Sequence, residues 1–134
     1  MSNPDLELQG GMYTVLISDD ALKQHVGSGV YDVVPGDAAV PYVALGEAQF
    51  IRSDSSGVLS GDIYLTLHAW SQEVGFREVK EIAGCVVDAL HHAGIPLPTY
   101  RLVSINHRQT RVMRDPDGQT SHAVIDMVAF VEKL

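Results

Sequence analysis

Six histidines are the side chains in this chain best suited to acid–base or metal chemistry. His68, His107 and His122 fall in three segments that alternate as strands, and His91 and His92 are adjacent at the end of a helical segment. Neighbours on a helix point about 100° apart, so the adjacent pair is poorly placed to chelate one ion. The strand histidines converge only if register and face cooperate, and no HExxH or comparable ligand spacing occurs. The expectation is therefore no metal site, with the histidines as exposed polar positions and as helix-end residues placed favourably against the dipole. Nucleophilic chemistry has no better support. The G-x-S-x-G elbow is absent, and the single cysteine, Cys85, lies in an amphipathic helix where a buried thiol behaves as a small hydrophobe. Gly27–Gly29 and Ser55–Gly57 lack both the Walker lysine and the dinucleotide-binding spacing. Asp19/Asp20 and Asp115/Asp117 are explained as helix caps and turn residues. No catalytic residue and no cofactor is expected.

The arginines carry the remaining signal. Residues 1–99 hold 4 Lys/Arg against 13 Asp/Glu, whereas Arg101, Arg108, Arg111 and Arg114 lie in a stretch, 100–114, with no acid. The chain as a whole is at −8. An acidic body argues against general binding to nucleic acid, which needs clustered Lys/Arg to neutralise phosphate. A basic segment on such a body suits an acidic partner or a neighbouring subunit. Strict alternation places Arg108 and Arg114 on one strand face and His107, Arg111 and Met113 on the other. Charge on both faces predicts that this end projects away from the core.

The elements that position these groups read clearly. Leu8, Met12, Val15 and Leu16 recur at helical spacing from a start near Pro4, although Gly10 and Gly11 weaken that helix. A second short helical turn, ALKQHV, follows a cap at Asp19 or Asp20 and closes at Gly27. Val30–Val34 reads as a short strand ending at Pro35-Gly36-Asp37. Pro41 restarts the chain as YVALGEAQFIR, where Gly46 marks a bulge. The polar segment Ser53–Gly61 reads as a mobile loop. Ile63, Leu65, Leu67 and Ala69 then alternate with Asp62, Tyr64, Thr66, His68 and Trp70. The following helix buries Phe76, Val79, Ile82, Ala83, Val86 and Leu90, and Gly94 and Pro96 are expected to stop it. Tyr100–Arg114 and Gln119–Val131 form a hairpin across Asp115-Pro116-Asp117-Gly118. In its second strand Ala123, Ile125, Met127, Ala129 and Val131 make one apolar face. The other face, Val124, Asp126, Val128 and Phe130, is mostly apolar too. A sheet covered on one side needs only one such face, so the second suits either a subunit contact or a thick monomer core. The sum is a single α+β domain over residues 1–134, a mostly antiparallel sheet of about five strands with two helices packed on one face. Candidate interface residues are Arg108, Arg111, Arg114, Val128 and Phe130. No run of ~18 apolar residues suggests a membrane span, the N-terminal residues lack the pattern of a secretory signal, and the lone cysteine points to cytoplasmic synthesis.

Taken in order, HVGSGVYDVVPGDAAVPYVALGEAQF, GDIYLTLHAWSQEVGFREVKEIAGCVVDAL and YRLVSINHRQTRVMRDPDGQTSHAVIDMVAFVE resemble the tail-completion or tail-terminator family of long-tailed bacteriophages, prophages and gene transfer agents. The resemblance runs over about residues 6–132. It rests on the order of Val26-Gly27, Val30-Tyr31-Asp32, Pro41-Tyr42-Val43 with Leu45-Gly46, Trp70-Ser71, Arg114-Asp115 and Asp117-Gly118. It implies a structural virion protein rather than an enzyme. Such a protein caps the head-proximal end of the tail tube as a ring, usually a hexamer, stops tube polymerisation and helps join tail to head. Implied partners are its own copies, the major tail-tube protein and a head–tail connector or stopper, with DNA only as passing cargo. The free protein would be monomeric, made in the cytoplasm, and part of the tail once assembled. Two other readings stand beside it: a small module binding nucleic acid or a partner through the arginines, and a metal-dependent enzyme using His68, His107 or His122.

Overall fold

The alternation around residues 60–71 sets the architecture. In the computed structural model, which describes residues 3–134, Ile63, Leu65, Leu67 and Ala69 are buried while Asp62, Tyr64, Thr66, His68 and Trp70 are half-exposed. The first two residues of the expected 1–134 domain lie outside the described residues. This strand, β3 (Ser60–Ser71), is central in a five-stranded sheet of order β1-β2-β3-β5-β4. Its neighbours are β2 (Tyr42–Arg52) and β5 (Ser121–Lys133), both antiparallel to it. The outer strands are β1 (Val30–Tyr31), which pairs parallel with β2, and β4 (Tyr100–Arg114), antiparallel to β5.

The helices are α1 (Pro4–Ser18), α2 (Asp20–Val26) and α3 (Arg77–Leu90). Asn3 and Asp19 cap α1 and α2 by accepting from the N–H groups of Leu6 and Leu22. Helix α3 lays Val79, Ile82, Ala83, Val86 and Leu90 on the sheet, and α1 adds Leu8, Met12 and Leu16. Burying each such side chain contributes about 1.5–3 kcal/mol before the entropy of ordering is set against it. Both helices therefore cover the same face, as expected, with the short α2 packed on α3 and α1. Gly11 is the reason α1 tolerates two glycines. A Cβ there would stand 2.5 Å from Ile95 Cγ2, so the helix can approach the 93–97 segment only without one.

Four local expectations are corrected. The first strand ends at Tyr31 rather than Val34, and Val33 is 82% exposed. The loop after β2 is tied rather than free: Arg52 holds Asp54, Asp54 accepts from Ser60 N–H, and Ser55 and Val58 exchange backbone bonds. Helix α3 stops before Gly94, because His92 takes φ +60° and gives its N–H to Ile105 O on β4. His91 Nδ1 accepts from the His107 N–H, so tertiary bonds to β4 end the helix. Finally, the tip of the last hairpin does not project. β4 and β5 stay paired to Arg114↔Ser121, β3 flanks them to Ser71↔Ser121, and Asp117 closes the turn by accepting from the N–H groups of Gln119 and Thr120. Among the described residues no helix is long and apolar enough to cross a membrane.

Candidate functional site

With all helices on one side, the opposite face of the sheet is bare. Its residues follow from the register. Tyr64 pairs with Val128 and Thr66 with Asp126, while Asn106 pairs with Val128, Ser104 with Phe130 and Arg111 with Val124. Val124 is buried by its sheet neighbours, and Asp126, Val128 and Phe130 are half-buried. The thick-core alternative is not how the chain uses this strand, since no second layer covers it.

Beta-bulges decide where the arginines point. β4 slips register between Leu102 and Ser104 and again between His107 and Gln109. Each slip inserts a residue and reverses the alternation beyond it. Arg108 consequently reaches over the bare face, its guanidinium 5.5 Å from the Tyr64 ring centroid, and Arg111 lies on the same face opposite Val124. Arg114 is on the helix side, 4.6 Å over the Phe76 ring. The expected grouping of Arg108 with Arg114, and of Arg111 with His107, is thus reversed. Of the five candidate interface residues the structure brings together Arg108, Arg111, Val128 and Phe130, and separates Arg114.

Between these groups lies a depression of about 400 Å³ lined by Glu47, Gln49, Tyr64, Thr66, Arg108 and Asp126. Asp126 anchors its floor, accepting from the Gln109 amide at 2.8 Å and the Thr66 hydroxyl at 2.9 Å. Those hydrogen bonds, the Gln109 one foremost, hold its carboxyl below the ordinary aspartate value. The bulge at Leu45/Ala48 on β2 shapes the rim, and Gly46 allows it: a Cβ there would meet Thr66 O at 2.6 Å.

Above this depression is an aromatic row that sequence reasoning missed. Tyr31 packs edge-on to Tyr42, Tyr42 lies 5.2 Å from Trp70, and Trp70 stacks on His122 at 4.5 Å and 12°. His68 and His122 touch, Nδ1 to Nε2, at 2.8 Å. Burial foremost, then the neighbouring His68, pushes the pKa of His122 down. The third strand histidine, His107, is elsewhere, its Nε2 2.8 Å from the Thr110 hydroxyl. The available signal was that His68, Trp70 and His122 all fall on outward-facing positions; their proximity depends on the β3–β5 register. Among the described residues no three His, Cys, Asp or Glu side chains are arranged to hold a metal ion. Cys85 is half-buried against the core, and burial first raises its thiol pKa, which disfavours a nucleophilic thiolate.

Residues 10–132 match the family model described as tail completion protein gp17. Among solved structures, the chain is similar to one in the virion of a native gene transfer agent (GTA) particle. The two share 27% identity and a TM-score of 0.91 over 98% of this chain and 99% of that one. It is also similar to the bacteriophage SPP1 gp17 protein, at 24% identity and a TM-score of 0.61 over 92% of this chain and 88% of that one, a likeness of fold. A comparison with curated proteins finds no match.

Proposed function

The chain belongs to the tail completion protein gp17 family, and on that premise we propose that it ends the tail tube of a phage-like particle as a structural protein. The observation that carries this reading is the end-to-end likeness to a chain of a gene transfer agent virion, 98% of one chain on 99% of the other. It acts by assembly rather than catalysis. We assign it a ring, a hexamer, seated on the head-proximal end of the tube. There it blocks further addition of the major tail-tube protein and offers a surface to the head–tail connector or stopper. It assembles in the cytoplasm and stays in the particle, where DNA passes as cargo without being held by a chain at −8.

The fold supports faces rather than edges as the contact surfaces. β4 is an edge strand interrupted by two register slips and carrying four arginines, and the other edge, where the two-residue β1 covers only Val43 and Ala44 of β2, is broken by the bulge between Leu45 and Ala48. Short, bulged and charged edges resist strand addition. A ring needs two unlike surfaces of one subunit to meet. The bare face with Arg108, Arg111, Val128 and Phe130 is one such surface, suited to an acidic partner patch.

The test is the double variant Arg108→Glu, Arg111→Glu. Both side chains are exposed, so the thermal midpoint should reflect a change of under about 0.5 kcal/mol. Tails in particles should lose length control or fail to join heads. Light scattering of the free protein should show a monomer, with rings forming only on tube ends, which supply the effective concentration. Normal tails and normal joining from the variant would remove these arginines from the mechanism.

A further inference from the structure

Residues 32–41, between β1 and β2, form an exposed arm at the β1 end of the sheet. Val33 near its start is 82% exposed, and Asp32, Pro35, Gly36 and Asp37 are exposed with it. The Ala38 N–H donates to Pro35 O at 3.1 Å, which turns the arm back toward β2. Neither the Asp32 nor the Asp37 carboxylate makes a hydrogen bond or ion pair among the described residues. The arm is thus a short apolar stretch, Val33-Val34-Pro35, set between two uncommitted carboxylates.

The bare face offers the complement. Arg108 and Arg111 are exposed there and form no ion pair or hydrogen bond among the described residues, with Arg108 lying over the Tyr64 ring. Beside them on β5 are the half-buried Val128 and Phe130. Asp126 is committed to Gln109 and Thr66, and Glu47 stands on the far rim of the depression. Both repel a further carboxylate from the middle of the face, so an acidic segment settles along β4. Arg108 and Arg111 stand about 10 Å apart along the strand, inside the ~17 Å that bounds the span from Asp32 to Asp37. A second acidic corner, Val74 with Glu73, Glu78 and Glu81, fits less well. There Glu78 already accepts from the Ser71 hydroxyl and Glu81 holds Arg77.

We propose that residues 32–41 of one copy lie along the Arg108–Arg111 side of the bare face of the next copy. Asp32 and Asp37 pair with the two arginines, and Val33, Val34 and Pro35 cover Val128 and Phe130. The partner is a second copy of this chain, and the contact is a seam of the capping ring proposed above, on which reading it rests. Within one chain arm and arginines do not meet. β1 and β4 end the strand order on opposite sides, four strand spacings or about 19 Å apart, and an out-and-back loop of this length extends at most about 17 Å. Arm and receiving face at opposite edges make the contact heterologous, each copy giving its arm to one neighbour and receiving the arm of the other, as a closed ring requires.

Charge exchange in assembled particles tests this contact. Asp32→Arg with Asp37→Arg should lose tail-length control, as Arg108→Glu with Arg111→Glu is expected to. The four changes together should restore it, because the ion pairs are rebuilt with their signs exchanged. A chain carrying Val33→Cys, Asn106→Cys and Cys85→Ala, treated in particles with a short bis-maleimide, should give a ladder of covalent products beyond the dimer. Particles made without the protein control for the capping reading: abnormal tails there uphold it, and normal tails overturn both it and this inference. With that control abnormal, the arm contact alone is overturned, and capping stands, under any of three results. These are normal tails from the arm variant, no recovery in a folded four-fold variant, or a ladder that ends at monomer or dimer. Should the arm variant fail to fold, the cysteine pair decides by the same rule.

Discussion

Gly10 and Gly11 are neighbours in α1, yet replacing each by alanine should have different effects, a gain in stability at Gly10 and none or a loss at Gly11. Either change removes the glycine penalty of a helix interior, worth about 0.8–1 kcal/mol. At Gly10 nothing lies within 4 Å of the added Cβ, so Gly10→Ala should stabilise by about that amount and raise the midpoint by roughly 3–4 °C. At Gly11 the new methyl would stand 2.5 Å from Ile95 Cγ2 and 3.9 Å from Ile95 Cβ. That methyl branches directly from Cβ, and Ile95 is only 5% exposed, so it cannot swing aside into solvent. Overpacking of this kind costs about 1–3 kcal/mol, which offsets or exceeds the helical gain. Gly11→Ala should therefore lie about 1–3 kcal/mol below Gly10→Ala. Paired thermal and urea melts measure this directly, and an unchanged urea slope would show that the unfolded reference is the same. If Gly11→Ala stabilises as much as Gly10→Ala, helix α1 does not dock on Ile95 as described, and the reasoning fails.

Other outcomes follow from the same structure. Leu67→Ala empties a fully buried position in the central strand and should cost about 2–5 kcal/mol by denaturant melts. Asp19→Ala removes the acceptor for Leu22 N–H at the start of α2 and should cost about 1 kcal/mol. Acid should also weaken the fold. Asp117, held down first by the Thr120 hydroxyl, and Asp126, held down first by the Gln109 amide, both have pKa values below the ordinary 3.8. The unfolded chain then binds more protons than the folded one, so their stabilisation is complete above that value and is lost as pH falls through the lowered ones. Asp126→Asn should flatten the acid limb of a stability–pH profile, and an unaltered limb would count against the Thr66–Asp126–Gln109 linkage.

How much of this was legible beforehand depended on the range of the interaction involved. Helix α1 from Pro4, a cap within the Asp19-Asp20 pair, the span of β2, the alternation of β3 and the buried stripe of α3 were all readable. Each is set by periodicity or by a contact within a few residues. The α+β class and the family resemblance followed from the same local patterns taken in order. Assigning the arginines to faces failed because alternation was counted straight through β4. A bulge depends on a partner strand, and nothing local in SINHRQTR announces the one between His107 and Gln109.

The end of α3 and the histidine pair share that cause. Glycine and proline near residue 94 looked sufficient to stop the helix, but His92 reaches Ile105 O first, a bond to a strand that pairs elsewhere. His68 and His122 are separated by 54 positions and meet only because β3 and β5 align Trp70 with His122. The sequence by itself determined the main helices and strands and the inward faces of β3 and α3, because those choices are made by neighbours along the chain. Tertiary structure alone decided that one sheet face stays bare, that Arg108 and Arg111 share it without Arg114, and that two histidines meet there. Strand order, register and bulges are properties of pairs of distant segments, and no single segment carries them.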